Sequence, residues 1–330
     1  MKTKKTKKKL GYNTLKKYFG GTKKNNNKSY NNKSYNNKSF NNKSYNNKSS
    51  KVNCSPKSKN EMNDFTCYTN KSLYKLRDLW NMRHPDVKIV SNSPKEIHRQ
   101  ISEKLGGICN KESCWIKQKA VFGPIESDLA DSFAPESPAE WKKNPNEWLS
   151  SVDIINVMKQ YEKAYKCFDF IGPTPIDFDT RKLYGECVWD ELCNFNLEEQ
   201  IKNKKYKVGI IFNTDPHNKP GQHWISMFIN IKKKKIFFFD STGDKPSSQI
   251  MALVNRIKEQ GLQLNTKMKF KFDSNEGIEH QYGNTECGMY SLYFIVHMLE
   301  DKLTEQYLKT HILKDSYMTK FRHIYFNDSL

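Results

Sequence analysis

The sequence predicts an α+β protein, a mixed central sheet flanked by helices, with a helical extension and a polar tail before it. Three observations carry this. Short β-branched and aromatic runs interleave with helix-period stretches from Trp148 onward. Residues 61–140 hold helical spacing of their own, and residues 1–60 are a low-complexity run. The expected divisions are therefore 1–60, 61–140 and 141–330.

The tail opens with the lysine run Lys2 to Lys9 and continues as a five-residue repeat, Asn-Asn-Lys-Ser-Tyr/Phe, from about Asn26 to Ser50. That period is too short for a solenoid unit, and so polar a composition cannot offset the entropy of ordering, so a disordered, solvated tail is expected. Its lysines interleave with Tyr30, Tyr35, Phe40 and Tyr45, a pattern compatible with weak nucleic-acid binding through charge and stacking. In the extension, Ser93-Pro94-Lys95-Glu96 reads as an N-cap, a proline at the first helical position and a capping-box glutamate. Ile97, Ile101 and Leu105 follow at helical spacing, and Gly106-Gly107 ends the helix. Pro, Ser and acidic residues between Phe122 and Pro145 suggest a linker or an irregular crossing.

In the body, Trp148 to about Tyr165 reads as a helix with Val152, Ile155, Met158 and Tyr161 or Tyr165 on one face. Strands are expected at Lys207–Phe212, Trp224–Ile231, Ile236–Asp240 and Met268–Phe272. Helices are expected after Pro246, burying Ile250, Leu253, Val254 and Ile257, and from about Cys287 to Leu299.

The formal net charge of +20 is unevenly placed. Residues 1–60 contain 18 of the 56 basic residues and none of the 36 acidic ones, so the rest is nearly neutral. The molecule is thus expected to be a basic tail on an ordinary globular body, not a basic nucleic-acid binder throughout. The start shows no apolar core of signal-peptide length, and no run of about 18 apolar residues occurs, so no membrane partner and a cytosol-like compartment are expected. In such a compartment the five Asn-Lys-Ser sequons stay unglycosylated, and the eight cysteines are expected to be free thiols. The Cys109/Cys114 and Cys187/Cys193 spacings are too long for a zinc half-site. Neither a phosphate-binding glycine loop nor a nucleophile elbow is present.

Three stretches carry chemistry: Gly221-Gln222-His223-Trp224, Phe239-Asp240-Ser241-Thr242, and Gln281 through Glu286-Cys287-Gly288. Thiol attack on an amide needs a thiolate, a base, a group orienting the base, and donors for the oxyanion. Cys287 sits where a polar loop meets an apolar helix, and a helix N-terminus favours the thiolate. Gly288 would let a substrate backbone approach. A hairpin turning between Asn230 and Lys235 would bring the far ends of its strands together and place His223 against Asp240. Gln281 lies on a loop six residues before the cysteine, suited to lend an N–H to the oxyanion. His280, its neighbour, is the competing candidate for the base.

These stretches resemble the clan of cysteine proteases that includes adenovirus proteinase (adenain) and the proteases of ubiquitin-like modifiers such as SUMO. In that clan a His-Trp pair precedes an aspartate by about 17 positions and a glutamine precedes Cys-Gly by about six, as here. Trp148-Leu149-Ser150 followed by Asp153-Ile154-Ile155 is similar to the clan's entry to its first helix. The resemblance covers roughly residues 145–300. It implies an adenain/SUMO-protease-like fold, catalytic roles for His223, Asp240 and Cys287, oxyanion help from Gln281, and a lining role for Trp224. No metal or organic cofactor is implied.

The helical extension and Lys/Asn-rich tail further resemble the thiol proteases of large cytoplasmic DNA viruses, including that of African swine fever virus. That likeness implies precursor proteins cut after Gly-Gly, in the infected cell's cytoplasm and the virion. One departure stands out: SUMO proteases usually carry a tryptophan where this chain has Lys207-Val208-Gly209-Ile210. Removal of ubiquitin-like modifiers, or an inactive nucleic-acid-associated scaffold, are the alternative functions. Gly20-Gly21 and Gly106-Gly107 raise the further question of self-cleavage, against their plain reading as a flexible joint and a helix stop.

Overall fold

The computed structural model describes residues 52–57, 61–123 and 127–328. The tail repeat, its aromatic residues and Gly20-Gly21 lie outside the described residues.

The extension contributes α1 (Asn70–Arg83) and α2 (Pro94–Leu105). The body follows as α3 (Ser151–Ala164), β1 (Phe168–Pro175), β2 (Lys207–Asn213), β3 (Trp224–Asn230) and β4 (Lys235–Phe239). It ends with α4 (Ser248–Gln263), β5 (Lys271–Ser274), α5 (Cys287–Leu299) and α6 (Asp315–Tyr325). The five strands form one mixed sheet in the order β1-β2-β3-β4-β5. The outer pairs are parallel and the two inner pairs antiparallel.

Both faces of the sheet are covered, so its central strands are apolar on both sides. Phe228, Phe237 and Phe239 point toward α3, α5 and α6, while Met227, Ile236 and Phe238 point toward α4. A third apolar cluster, including Leu76, Trp80, Ile97, Ile101 and Trp115, belongs to the extension. Residues 52–57, expected as part of the tail, are tied to residue 327: Asn53 N–H donates to Asn327 Oδ1 at 2.6 Å, and Asn327 Nδ2 donates back to Asn53 O at 2.9 Å.

Several expectations need correction. The buried face of α3 is Ile154, Val157, Met158 and Tyr161, while Val152 is 63% exposed. Its start is set by a capping box in which Ser150 and Asp153 bond reciprocally. The box expected at Ser93 does not form; Glu96 pairs instead with Arg99, at 2.5 Å. The fifth strand begins at Lys271, because Met268 N–H is spent on Gly261 O and pairing with β4 starts only at Lys235↔Lys271. The first strand was not foreseen. Gly172, Pro173 and Pro175 read as turn punctuation, yet they sit at an edge, where a missing N–H is tolerated. Six cysteines expected to be free are paired: Cys54–Cys67, Cys109–Cys114 and Cys187–Cys193, with Cα separations of 5.1, 5.5 and 6.3 Å. The expectation rested on compartment, whereas local chain turns bring these residues within bridging distance. Cys167 and Cys287 remain free.

Within the stretch of β2 where the tryptophan is lacking, Gly209 has no room for a side chain. A Cβ there would lie 2.7 Å from Ile295 Cγ2 and 3.0 Å from the Phe168 ring, so the strand meets α5 too closely for any side chain. Gly209→Ala is expected to destabilise by about 1–3 kcal/mol through overpacking. Urea unfolding should show a lower midpoint at constant slope. An unchanged midpoint would mean that Ile295 and Phe168 yield freely.

Candidate active site

The site is assembled at one end of the sheet by the β3–β4 hairpin. Asn230 pairs with Lys235 at the turn, and the register runs to Ser226↔Phe239, which leaves His223 and Asp240 just beyond the paired ends. His223 Nε2 lies 2.8 Å from Asp240 Oδ1. The entry to β3 is shaped by Gly221 (φ 96°), where a side chain would collide with the Asn213 amide. Asn213 Oδ1 accepts from Gln222 N–H at 3.2 Å, and Asp215 Oδ2 from Gly221 N–H at 3.1 Å.

Asp240 is held from several sides. Its Oδ1 also accepts from the Thr242 backbone N–H and hydroxyl, at 2.9 and 2.8 Å. Fully buried Asn275 brackets its main chain, accepting from Asp240 N–H at 2.9 Å and donating to Asp240 O at 2.6 Å. These contacts fix one carboxylate oxygen toward the imidazole.

His223 is poised by opposing influences. Burial is the largest and disfavours its charge, but hydrogen bonds to Asp240 and Cys287, with the charges of both, outweigh it. The imidazole is pushed up to about 10. With Nε2 committed to Asp240, Nδ1 is the nitrogen left for Cys287. Cys287 is the first residue of α5 and 2% exposed.

Gln281 is anchored to the same turn. His280 and Gln281 N–H groups both donate to Ser241 O at 2.8 Å. Ser241 Oγ donates to Gln281 Oε1 at 2.7 Å, which sets which way the amide faces. Gln281 Nε2 donates to Gly283 O at 3.0 Å and so keeps its second N–H for another acceptor.

His280 has no such freedom. It is fully buried, accepts from Leu313 N–H at Nδ1 (3.1 Å) and packs against Phe239. Burial pushes it down to about 4, only partly opposed by the Leu308 backbone, so it is a neutral structural residue.

Trp224 Nε1 donates to Leu149 O at 3.0 Å, tying the entry of α3 to the strand that follows His223. Gly288 is where these parts meet. An added Cβ would lie 3.1 Å from Leu149 and 3.3 Å from Trp224 Cδ1, so the structure uses this glycine for internal packing. A cleft of about 500 Å³ is lined by Trp148, Leu149, Pro173, Trp189, Gln222 and Trp224, and so reaches both neighbours of His223. A cavity of about 570 Å³, lined by Gln160, Tyr161, Tyr165 and Cys167 among others, contains none of these groups.

The hairpin thus brings His223 to Asp240, and α5 brings Cys287 to His223. Sequence reasoning quoted Ser241 and Thr242 without a role and missed Asn275. A turn pattern, Asp-Ser-Thr, was the available signal for the first two; Asn275 carried none.

Comparison with known proteins places the chain in a family. A profile described as the Ulp1 protease family, C-terminal catalytic domain, matches residues 152–329. A thiol protease of Acanthamoeba polyphaga mimivirus is 25% identical over 296 residues, covering 83% of this chain and 93% of the relative. A cysteine protease of African swine fever virus (isolate Tick/Malawi/Lil 20-1/1983) is 28% identical over 238 residues, covering 68% and 84%. The crystal structure of a selenomethionine-labelled African swine fever virus protease superposes with a TM-score of 0.57 at 22% identity, covering 85% of this chain and 97% of that one. That likeness shows the fold.

Proposed function

From the premise that the chain belongs to the Ulp1 protease family and is a cysteine protease, we propose that it cuts precursor proteins after Gly-Gly pairs, using Cys287, His223, Asp240 and Gln281. The observation that carries this reading is the contact of His223 with Asp240 on one side and Cys287 on the other. His223 takes the Cys287 proton, and the thiolate attacks the scissile carbonyl. The resulting oxyanion is met by the free N–H of Gln281 and by the Cys287 backbone N–H. His223 then protonates the leaving amine, and a water activated by the neutral imidazole hydrolyses the thioester. Asp240 keeps the ring oriented throughout.

A Gly-Gly preference is supported by the cleft. Leu149 and Trp224 are fastened to each other by a hydrogen bond and form one fixed stretch of its lining, so a substrate strand lying close over them gains from having no side chains. The viral relatives support a setting in the infected cell's cytoplasm and the virion; among the described residues no helix is long and apolar enough to cross a membrane. Residues 141–330 would form the catalytic domain, 61–140 its accessory region, and the 18 lysines of residues 1–60 a weak nucleic-acid contact. The family description and the name of one African swine fever virus relative, a SUMO-1 cysteine protease, favour removal of ubiquitin-like modifiers as the second reading.

A panel of short Gly-Gly-X peptides, beside matched Ala-Ala-X peptides and a folded modifier with a C-terminal extension, separates these readings by mass spectrometry. Precursor processing predicts cleavage after the second glycine in short peptides. Cleavage of the folded modifier alone would transfer the function to the second reading, and cleavage of neither would sink both.

A further inference from the structure

The loop from Gln281 to Cys287 carries both proposed oxyanion donors, and one helix outside the site holds both its ends. Asp315, the first residue of α6, accepts at Oδ2 from the backbone N–H of Tyr282 (3.0 Å) and Gly283 (2.8 Å). Its Oδ1 lies 3.0 Å from Tyr290 Oη, a hydroxyl on α5 that also reaches His280 O and Leu313 O. Arg322 stands seven residues later, two helical turns on and on the same face. Its guanidinium Nε lies 3.1 and 3.0 Å from the two carboxylate oxygens of Glu286, the residue just before Cys287. Arg322 also donates to Thr285 O at 3.2 Å and, across the site, to Glu147 O at 2.8 Å, two residues before the cleft-lining Leu149. The Arg322 and Glu286 side chains are 2% and 4% exposed.

We propose that Asp315 and Arg322 are positioning residues for the oxyanion site, acting through Gly283 and Glu286; the proposal rests on the reading of Cys287 and Gln281 above. The route from Asp315 is short. It fixes Gly283, whose carbonyl takes one N–H of Gln281 Nε2, and so sets where the other N–H points. The route from Arg322 is equally direct, since Glu286 is the N-cap of α5 and its placement sets the Cys287 N–H. A loop with three successive polar residues, Asn284-Thr285-Glu286, has little apolar burial of its own to hold it. Fixed donors stabilise an oxyanion because they need not reorganise as charge develops. A loop free to shift would lose that advantage while leaving the contact of Cys287 with His223, which depends on α5 and the hairpin, in place.

The test uses the full chain with Asp315→Asn, Arg322→Lys and the double variant Glu286→Gln/Arg322→Met. The double variant leaves no buried charge without a partner. Three readouts are taken beside the thermal midpoint: kcat and KM on a cleaved peptide, inhibition by a peptide aldehyde, and alkylation of Cys287 by iodoacetamide. The aldehyde forms a hemithioacetal whose oxygen occupies the oxyanion position; alkylation needs only the thiolate. Each variant is expected to lose about 10- to 100-fold in kcat, somewhat less than the roughly 100- to 1,000-fold typical for a deleted donor and expected of Gln281→Ala. KM should stay within about threefold, aldehyde affinity should fall in proportion to kcat, and alkylation should keep its wild-type rate. Folded variants with wild-type kcat would overturn the proposal, and so would an alkylation rate falling in step with kcat, which marks a general loosening. If wild-type Cys287 neither alkylates selectively nor binds the aldehyde, the reading of the nucleophile fails, and this inference fails with it.

Discussion

Cys287→Ala is expected to lower kcat/KM by about 10,000-fold or more, since groups acting as one catalytic unit cost nearly the whole of catalysis when the nucleophile is lost. The fold should survive. Cys287 is a small buried residue at a helix start, and alanine removes one sulfur from a wall that Leu149, Trp224 and α5 otherwise complete. The variant should therefore unfold near the wild-type midpoint while cutting no peptide detectable by mass spectrometry. It should also lower the imidazole's affinity for its proton, because Cys287 is one of the two partners that hold His223 protonated. An NMR titration of His223 in the two proteins reads this directly. Persistent cleavage by a pure, folded Cys287→Ala protein would refute the assignment.

Asp240→Asn should cost about 100- to 10,000-fold in rate with the shape conserved, because the imidazolium loses the carboxylate charge that holds its proton. His223 and Thr242 share Oδ1, so the amide oxygen stays at that place, accepting from Thr242 and from the protonated Nε2 while carrying no charge. The pH dependence follows from the same contact. In the folded protein His223 is pushed up to about 10, against about 6.5 when unfolded, so the imidazolium that protonates the leaving amine persists well into alkaline pH. Wild-type kcat/KM should decline only near pH 10, and the residual activity of Asp240→Asn should decline earlier. For stability, a raised folded pKa contributes fully below about pH 6.5 and is lost as pH rises toward 10. The thermal midpoint of the wild type should thus exceed that of Asp240→Asn most at pH 6, with the gap narrowing by pH 10. A gap constant across that range would exclude His223 as the group whose charge Asp240 stabilises.

Much of this site is legible in the sequence. The helix from Cys287 to Leu299 was read to the residue, because its apolar run is long and its start is marked by a polar loop. The hairpin was read as well, since a lysine-rich turn between two apolar strands leaves one register that buries both faces. The α3 face was misjudged by one residue, and the reason is packing. Met158 and Tyr161 belong to either stripe, but only Ile154 and Val157 meet the sheet once Leu149 is pinned by Trp224. The first strand and the last helix escaped notice for different reasons. Prolines at an edge imitate a loop, whereas α6 carries an apolar period, Met318, Phe321 and Tyr325, that the sequence analysis did not take up.

The sequence by itself determined what depends on local order and on periodicity: the helix that begins at Cys287, the two strands whose outer ends bear His223 and Asp240, and the spacing that marks the family. Tertiary structure alone decided the partners of polar side chains. Ser241, Asn275, Asp315 and Arg322 would look the same in the sequence whether they faced solvent or the site. A hydrogen bond or buried ion pair is worth having only when its partner is already held nearby, and the partners of these residues lie tens of positions away along the chain. Only folding brings them together, and with them the loop that carries Gln281 to Cys287.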